Sequence, residues 1–217
     1  MSTAARAGAA GSARSPAPPP PGRIDVGSIP RVAFDNRSLM WWGILGFLAI
    51  ESTMLAICLV SYFYFRGIEV EWPPAPTAPP NLLIGTLTMA LLLASVPAMM
   101  LIERAARRFD LAATIRWHVV CDVIGVAFLV MRSFEMSVMN VRWDSNAYGS
   151  VVWTILILHT THLVAEVVET IYFTFFLARY PRPNFFTDAT DNALYWFFIV
   201  AIWVPCYITL YLVPRWG

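Results

Sequence analysis

Nine ionisable side chains, Glu51, His118, Asp122, Arg132, Glu135, His159, His162, Glu166 and Glu169, lie within or at the end of long apolar runs. Such groups do one of three things in an apolar setting: they pair with each other, move protons, or hold a metal or haem. Glu51 stands alone in its run, eleven residues from the nearer predicted end and too deep to reach an interface. Burying its charge costs from about 2.5 to more than about 10 kcal/mol, so it requires protonation, a hydrogen bond or a polar cleft. A structural carboxyl satisfied by a neighbouring helix, a proton-linked group and a lipid-headgroup partner are all open readings.

The other eight fall on two helical stripes. His118, Asp122, Gly125, Leu129 and Arg132 follow helical spacing, with Glu135 three residues on; His159, His162, Glu166 and Glu169 repeat the pattern in the next run. A short loop between the two runs makes them antiparallel neighbours, which brings Arg132 to the depth of His159, and Asp122 and His118 towards Glu166 and Glu169. Mutual neutralisation is the economical reading; proton conduction and metal or haem ligation are the alternatives. Histidines at i and i+3 share a face and are common ligands. Yet a bis-histidine haem needs ligands from facing helices, and only His118, near the opposite membrane face, remains. Cys58, Cys121 and Cys206 each occur singly in apolar sequence, with no metal-site spacing and no disulfide density, and read as packed or lipid-embedded thiols.

The elements that must carry these residues are membrane helices. Of 217 residues, 58% are hydrophobic and 13% charged, against about 45–50% and about 25% in soluble domains. Five apolar segments are each long enough to cross a hydrocarbon core about 30 Å thick at about 1.5 Å per residue: Met40–Phe65, Leu82–Ile102, Trp117–Val138, Ser150–Leu177 and Leu194–Val213. Continuous apolar runs exclude a barrel, whose strands alternate. The loop Trp72–Pro80, with five prolines, cannot be helical, and Tyr180-Pro-Arg-Pro183 stops the fourth span. The predicted architecture is all-α, a five-helix membrane domain over 39–217.

Residues 1–38, rich in Ala, Pro, Gly, Ser and Arg, have no apolar face to stabilise a fold and are predicted to be disordered. All fifteen basic residues are Arg, and a net charge of +1 does not suggest a nucleic-acid partner. Arg23, Arg31 and Arg37, then Arg104, Arg107, Arg108 and Arg116, then Arg179 and Arg182 mark one side, against Arg66, Arg142 and Arg215 on the other. Arginine near a span resists translocation, so the N-terminus is expected inside and the C-terminus outside. Trp41, Trp42, Trp72, Trp117, Trp143 and Trp216 near span ends fit an interfacial belt.

These residues resemble the cytochrome c oxidase subunit III family in its short, five-helix bacterial form. Gly43–Ser52 with Tyr62-Phe-Tyr-Phe-Arg66 is similar to the family's Glu-bearing helix and its aromatic, basic exit. Trp72-Pro73-Pro74, Pro80-Asn81-Leu82 and Leu92-Leu93-Ala94-Ser95 resemble its proline-rich loop and next helix. Arg132-Ser-Phe-Glu135, Leu158-His159-Thr-Thr-His162-Leu, and Tyr195-Trp196-Phe-Phe with Trp203 resemble its later helices in order and spacing. The chain departs from the pattern at Thr160 and Thr161, where a Gly is usual, and at Phe197 and Val200, usually His and Asp; Glu166 and Glu169 are additional. It looks like a divergent branch of that family.

The resemblance implies an accessory subunit without haem or copper of its own, those being carried by partner subunits. It implies packing on catalytic subunit I, with subunit II and other respiratory complexes as further partners, in a bacterial cytoplasmic membrane. It also implies bound phospholipid in a V-shaped helix arrangement and support of proton uptake, with Glu51 as the cleft carboxyl and Glu135, His159 and His162 as structural polar positions. The nearest alternative is the related accessory protein of nitric oxide reductase. Independent of the family, a transporter lined by Asp122, Arg132, His159, His162 and Glu166, or a haem b membrane cytochrome, would also use these residues; no internal repeat supports the former.

Overall fold

The computed structural model describes residues 32–33, 37–181 and 185–216. The expectation of disorder over 1–38 falls largely outside the described residues. Within that segment Val32–Ala33 (β1) and Arg37–Ser38 (β2) pair as antiparallel two-residue strands, Val32 opposite Ser38. From Met40 onward the described residues form a second compact unit whose regular elements are all helical.

Five helices are described: α1 (Leu39–Ile68), α2 (Leu82–Arg107), α3 (Leu111–Ser137), α4 (Ala147–Arg179) and α5 (Phe185–Tyr207). The last continues through a π turn, Ile208–Leu212, and a 3-10 turn, Val213–Arg215. Capping side chains set the starts of three of them. Asn81 Oδ1 accepts from the amides of Leu83 (3.0 Å) and Ile84 (3.3 Å), Asp110 Oδ1 from Ala113 (2.9 Å), and Asn146 Oδ1 from Gly149 (2.8 Å). Each satisfies first-turn N–H groups that have no partner within the helix.

Four helical stretches, Met40–Ile68, Leu82–Arg107, Ala147–Arg179 and Phe185–Arg215, are long and apolar enough to cross a membrane, making this a multi-pass membrane protein. The exception to the five expected spans is α3. Its 27 residues reach about 40 Å, which is sufficient, but Arg116, His118, Asp122, Arg132 and Glu135 lower its apolar character. Of these, His118, Arg132 and Glu135 are buried inside the protein.

Helices α2 to α5 enclose one core, with α2 against α3 and α5, α3 against α4, and α4 against α5. Trp196 and Trp203 of α5 are its largest buried side chains. The Trp196 indole N–H donates to Ser95 Oγ of α2 at 2.7 Å, which ties the two helices together at depth. Helix α1 is attached by a narrow stripe, Glu51, Leu55 and Tyr62, while Phe47, Ile50, Met54, Ile57 and Val60 are exposed. Spacings of four and seven residues keep the stripe on one face. At its far end Tyr62 meets Trp72 of the proline-rich loop and Tyr148 of α4, ring centroids 5.3 and 6.3 Å away. Cys121 and Cys206 are buried, Cys58 is half-buried, and all three are free thiols.

Candidate functional site: two buried carboxylates and an acidic cleft

Glu51, 1% exposed, is held from two helices. The Tyr195 hydroxyl of α5 donates to its Oε1 at 2.6 Å, and His162 Nε2 of α4 lies 3.4 Å from the same oxygen. The Tyr195 ring is fixed between Phe47 (5.7 Å) and Phe198 (6.2 Å). One carboxylate oxygen thus has two polar neighbours, and neither is a permanent cation.

Below this pair lies Glu166, fully buried on α4. Asn192 Nδ2 of α5 donates to its Oε1 at 2.9 Å and to Thr170 Oγ1 at 3.2 Å. Thr170 in turn donates back to the Glu166 carbonyl at 2.9 Å, so α4 and α5 share a closed amide–hydroxyl–carboxyl group.

A cavity of about 310 Å³ opens beside these groups. Its apolar wall comes from the first turns of α1, including Met40, Ile44 and Phe47; its polar wall carries Glu169 of α4 and Asp188, Asp191 and Tyr195 of α5. Met40 and Asp188 sit at helix beginnings, so the cavity opens at one end of the bundle and runs inward to Tyr195.

A further buried carboxyl, Glu135, closes the opposite end. Arg132 Nη1 lies 2.9 Å from its Oε2, one turn back on α3, and the Tyr211 hydroxyl of the π turn donates to its Oε1. The Arg132 guanidinium, fully buried, lies 4.2 Å over the Trp203 ring and 5.1 Å over Phe128. His159 packs 4.4 Å from the same indole, its Nε2 3.1 Å from the Ile199 carbonyl. Cation–π contact in a desolvated site is worth up to about 2 kcal/mol. Tyr211 can reach Glu135 because Gly85 of α2 has no side chain; a Cβ there would overlap the ring.

Seven of the nine expected residues therefore separate into two groups rather than one stripe pair, with His118 and Asp122 in neither. Glu51, His162, Glu166 and Glu169 group with α5 at the cleft, while Arg132, Glu135 and His159 group around Trp203. The Arg132 ion pair forms within α3, and no ion pair between α3 and α4 occurs among the described residues. His118 is buried with Nδ1 2.8 Å from the Thr114 carbonyl of its own helix and its ring 5.2 Å from Phe173. Asp122 is half-buried on the α3 face. No three His, Cys, Asp or Glu side chains converge on a metal-sized point among the described residues.

The partners missed from sequence are Tyr195, Asn192 and Tyr211. Asn192 and Tyr195 carry a signal, since Asn192, Tyr195, Trp196, Ile199 and Trp203 form one buried stripe on α5 at helical spacing. Tyr211 lies beyond Pro205 in the π turn, where that spacing no longer applies.

No protein-family model matches the chain. It is similar to proteins named cytochrome c oxidase subunit 3 in several bacteria. The one from Synechocystis sp. is 24% identical over 181 residues, covering 82% of this chain and 77% of that protein. The Nocardia farcinica protein, named as probable, is 27% identical with 79% and 86% covered. The Corynebacterium diphtheriae protein is 27% identical over 206 residues, 88% and 97% of the two chains. The family resemblance drawn from the motifs is borne out, and the chain is a divergent relative of these proteins.

Proposed function

From this kinship we propose that the chain is the accessory, non-redox subunit III of a haem-copper terminal oxidase in aerobic respiratory electron transport. The observation that carries the reading is similarity to subunit 3 proteins along most of both chains. Haem and copper belong to the partner subunits, oxygen reduction and proton translocation proceed there, and this chain packs on subunit I in company with subunit II. Glu51 is the proton-linked carboxyl of the assembly, and the cleft between α1 and α4/α5 holds phospholipid against its apolar α1 wall.

The host membrane is the bacterial cytoplasmic membrane, with the N-terminus inside and the C-terminus outside. Helix α3 is the fifth span: three of its five ionisable side chains are buried, and burial inside the bundle removes them from lipid. The cleft, opening at the starts of α1 and α5, then faces the inside.

The test is gentle detergent purification of the tagged chain from its native membrane, with a reduced-minus-oxidised spectrum and metal analysis. A stoichiometric haem- and copper-containing core is the expected result. A core with non-haem iron in place of copper assigns the chain to a nitric oxide reductase instead, and a lone colourless protein overturns the accessory role.

A further inference from the structure

Among the described residues Tyr195 both lines the acidic cleft and hydrogen-bonds Glu51. Its hydroxyl points away from the cleft mouth into a carboxyl that is 1% exposed, while its ring is held between two phenylalanines. A phenol can donate one hydrogen bond and accept another, so it can pass a proton without changing its own charge. We propose that Tyr195 is the positioning residue through which protons exchange between the α1/α4/α5 cleft and Glu51, a role that rests on Glu51 being proton-linked.

The step balances as follows. The Tyr195 Oη–H bond breaks as its proton forms an O–H bond on Glu51 Oε1. In the same event the phenol oxygen takes a proton from the cleft acid Glu169, which becomes a carboxylate and is reprotonated from the aqueous end, so that Tyr195 stays neutral throughout. Nothing is oxidised or reduced. His162, 3.4 Å from Glu51 Oε1, is the next base in line. The titratable groups around Glu51 are Tyr195 from α5 and His162 and Glu166 from α4, with Glu169 and Asp191 lining the cleft beside them; Cys58 and Tyr62 stand two and three turns further along the same face of α1.

Glu135 supplies the internal control. It too accepts from a tyrosine, Tyr211, but that residue lines none of the described cavities and Arg132 stands beside the carboxylate. A purely structural tyrosine–carboxylate bond should behave alike at both places. A relay should not.

The experiment is infrared spectroscopy of the purified complex, following the protonated carbonyl band that Glu51→Gln removes, after transfer into D2O. Tyr195→Phe should keep the band and slow its deuteration by tenfold or more, and Tyr211→Phe should leave the rate unchanged. An unchanged rate in Tyr195→Phe overturns the relay while leaving the proton-linked role of Glu51 standing. A Glu51 band absent at every pH overturns that role itself. Should Tyr195→Phe fail to assemble, Glu169→Gln, an exposed cleft-wall substitution, must slow deuteration several-fold, and no slowing overturns the proposal.

Discussion

Glu51 and Glu135 are two buried carboxylates with a tyrosine hydroxyl apiece, and what differs is the second neighbour. Glu135 has a fully buried arginine; Glu51 has a histidine, which is neutral or charged as conditions dictate. Removing Glu135 strands a buried guanidinium, so Glu135→Ala should cost about 3–5 kcal/mol and lower the melting temperature in detergent, whereas Glu135→Gln should cost less. Glu51→Gln preserves shape and a hydrogen-bond acceptor for Tyr195. It should leave thermal stability and assembly intact while shortening sustained turnover or slowing proton uptake of the purified complex; unchanged turnover and uptake would remove Glu51 from the mechanism. That these residues needed partners was legible in the sequence, because charge at such depth is costly whatever surrounds it. Which partners was not: spacing along α3 and α4 fixes which residues share a face, but not which face of α5 turns towards them. The pairing within α3 follows from Arg132 and Glu135 being one turn apart, a distance that no helix rotation changes.

At the level of elements, the apolar runs located all five helices, and the polar ends were what they concealed. Helix α5 begins at Phe185 rather than Leu194, because its first turns carry Thr187, Asp188, Asp191 and Asn192, a stretch with no apolar run to mark it. Asp188, Asp191 and Asn192 of this stretch line the cleft, and Asn192 bonds Glu166. The Asn81 cap was likewise inside a proline-rich loop, and Asn81→Ala should destabilise α2 by about 0.5–2 kcal/mol in a denaturation experiment. In the α3–α4 loop Arg142 grips Asp144 with two hydrogen bonds of 3.0 Å. That grip holds the Asp144 carboxyl below its ordinary range. The contact is therefore present above the ordinary carboxylate pKa and lost as pH falls through the lowered value. Carboxyl-carbon NMR should show Asp144 titrating below an unperturbed aspartate and returning to the ordinary range in Arg142→Ala.

For the whole molecule, the decisive quantity is the parity of the spans. Five crossings put the termini on opposite sides; four, with α3 lying out of the membrane, put them on the same side. Alkaline phosphatase fused after Trp216 should be active outside the cell and the same enzyme fused before Met40 inactive, and equal activity of the two fusions would return α3 to one surface. The membrane class and helix number were readable from composition because lipid tolerates little else at this density of apolar residues. The asymmetry of the bundle was not readable, since α1 is as apolar as its neighbours yet buries only Glu51, Leu55 and Tyr62 fully against them, with Leu48, Cys58, Leu59 and Phe65 partly buried alongside.

That narrow attachment has a consequence for how the protein is made. The hydroxyl that satisfies Glu51 lies 144 residues further along the chain. At about 5–20 residues per second of synthesis, Glu51 waits about 7–29 s before Tyr195 is made. During that interval His162 of α4, 3.4 Å away in the finished bundle, is the earlier of its two partners to be made, and a product truncated ahead of α4 has neither. The last hydrogen bond to this carboxyl is therefore closed only when the final helix joins the bundle.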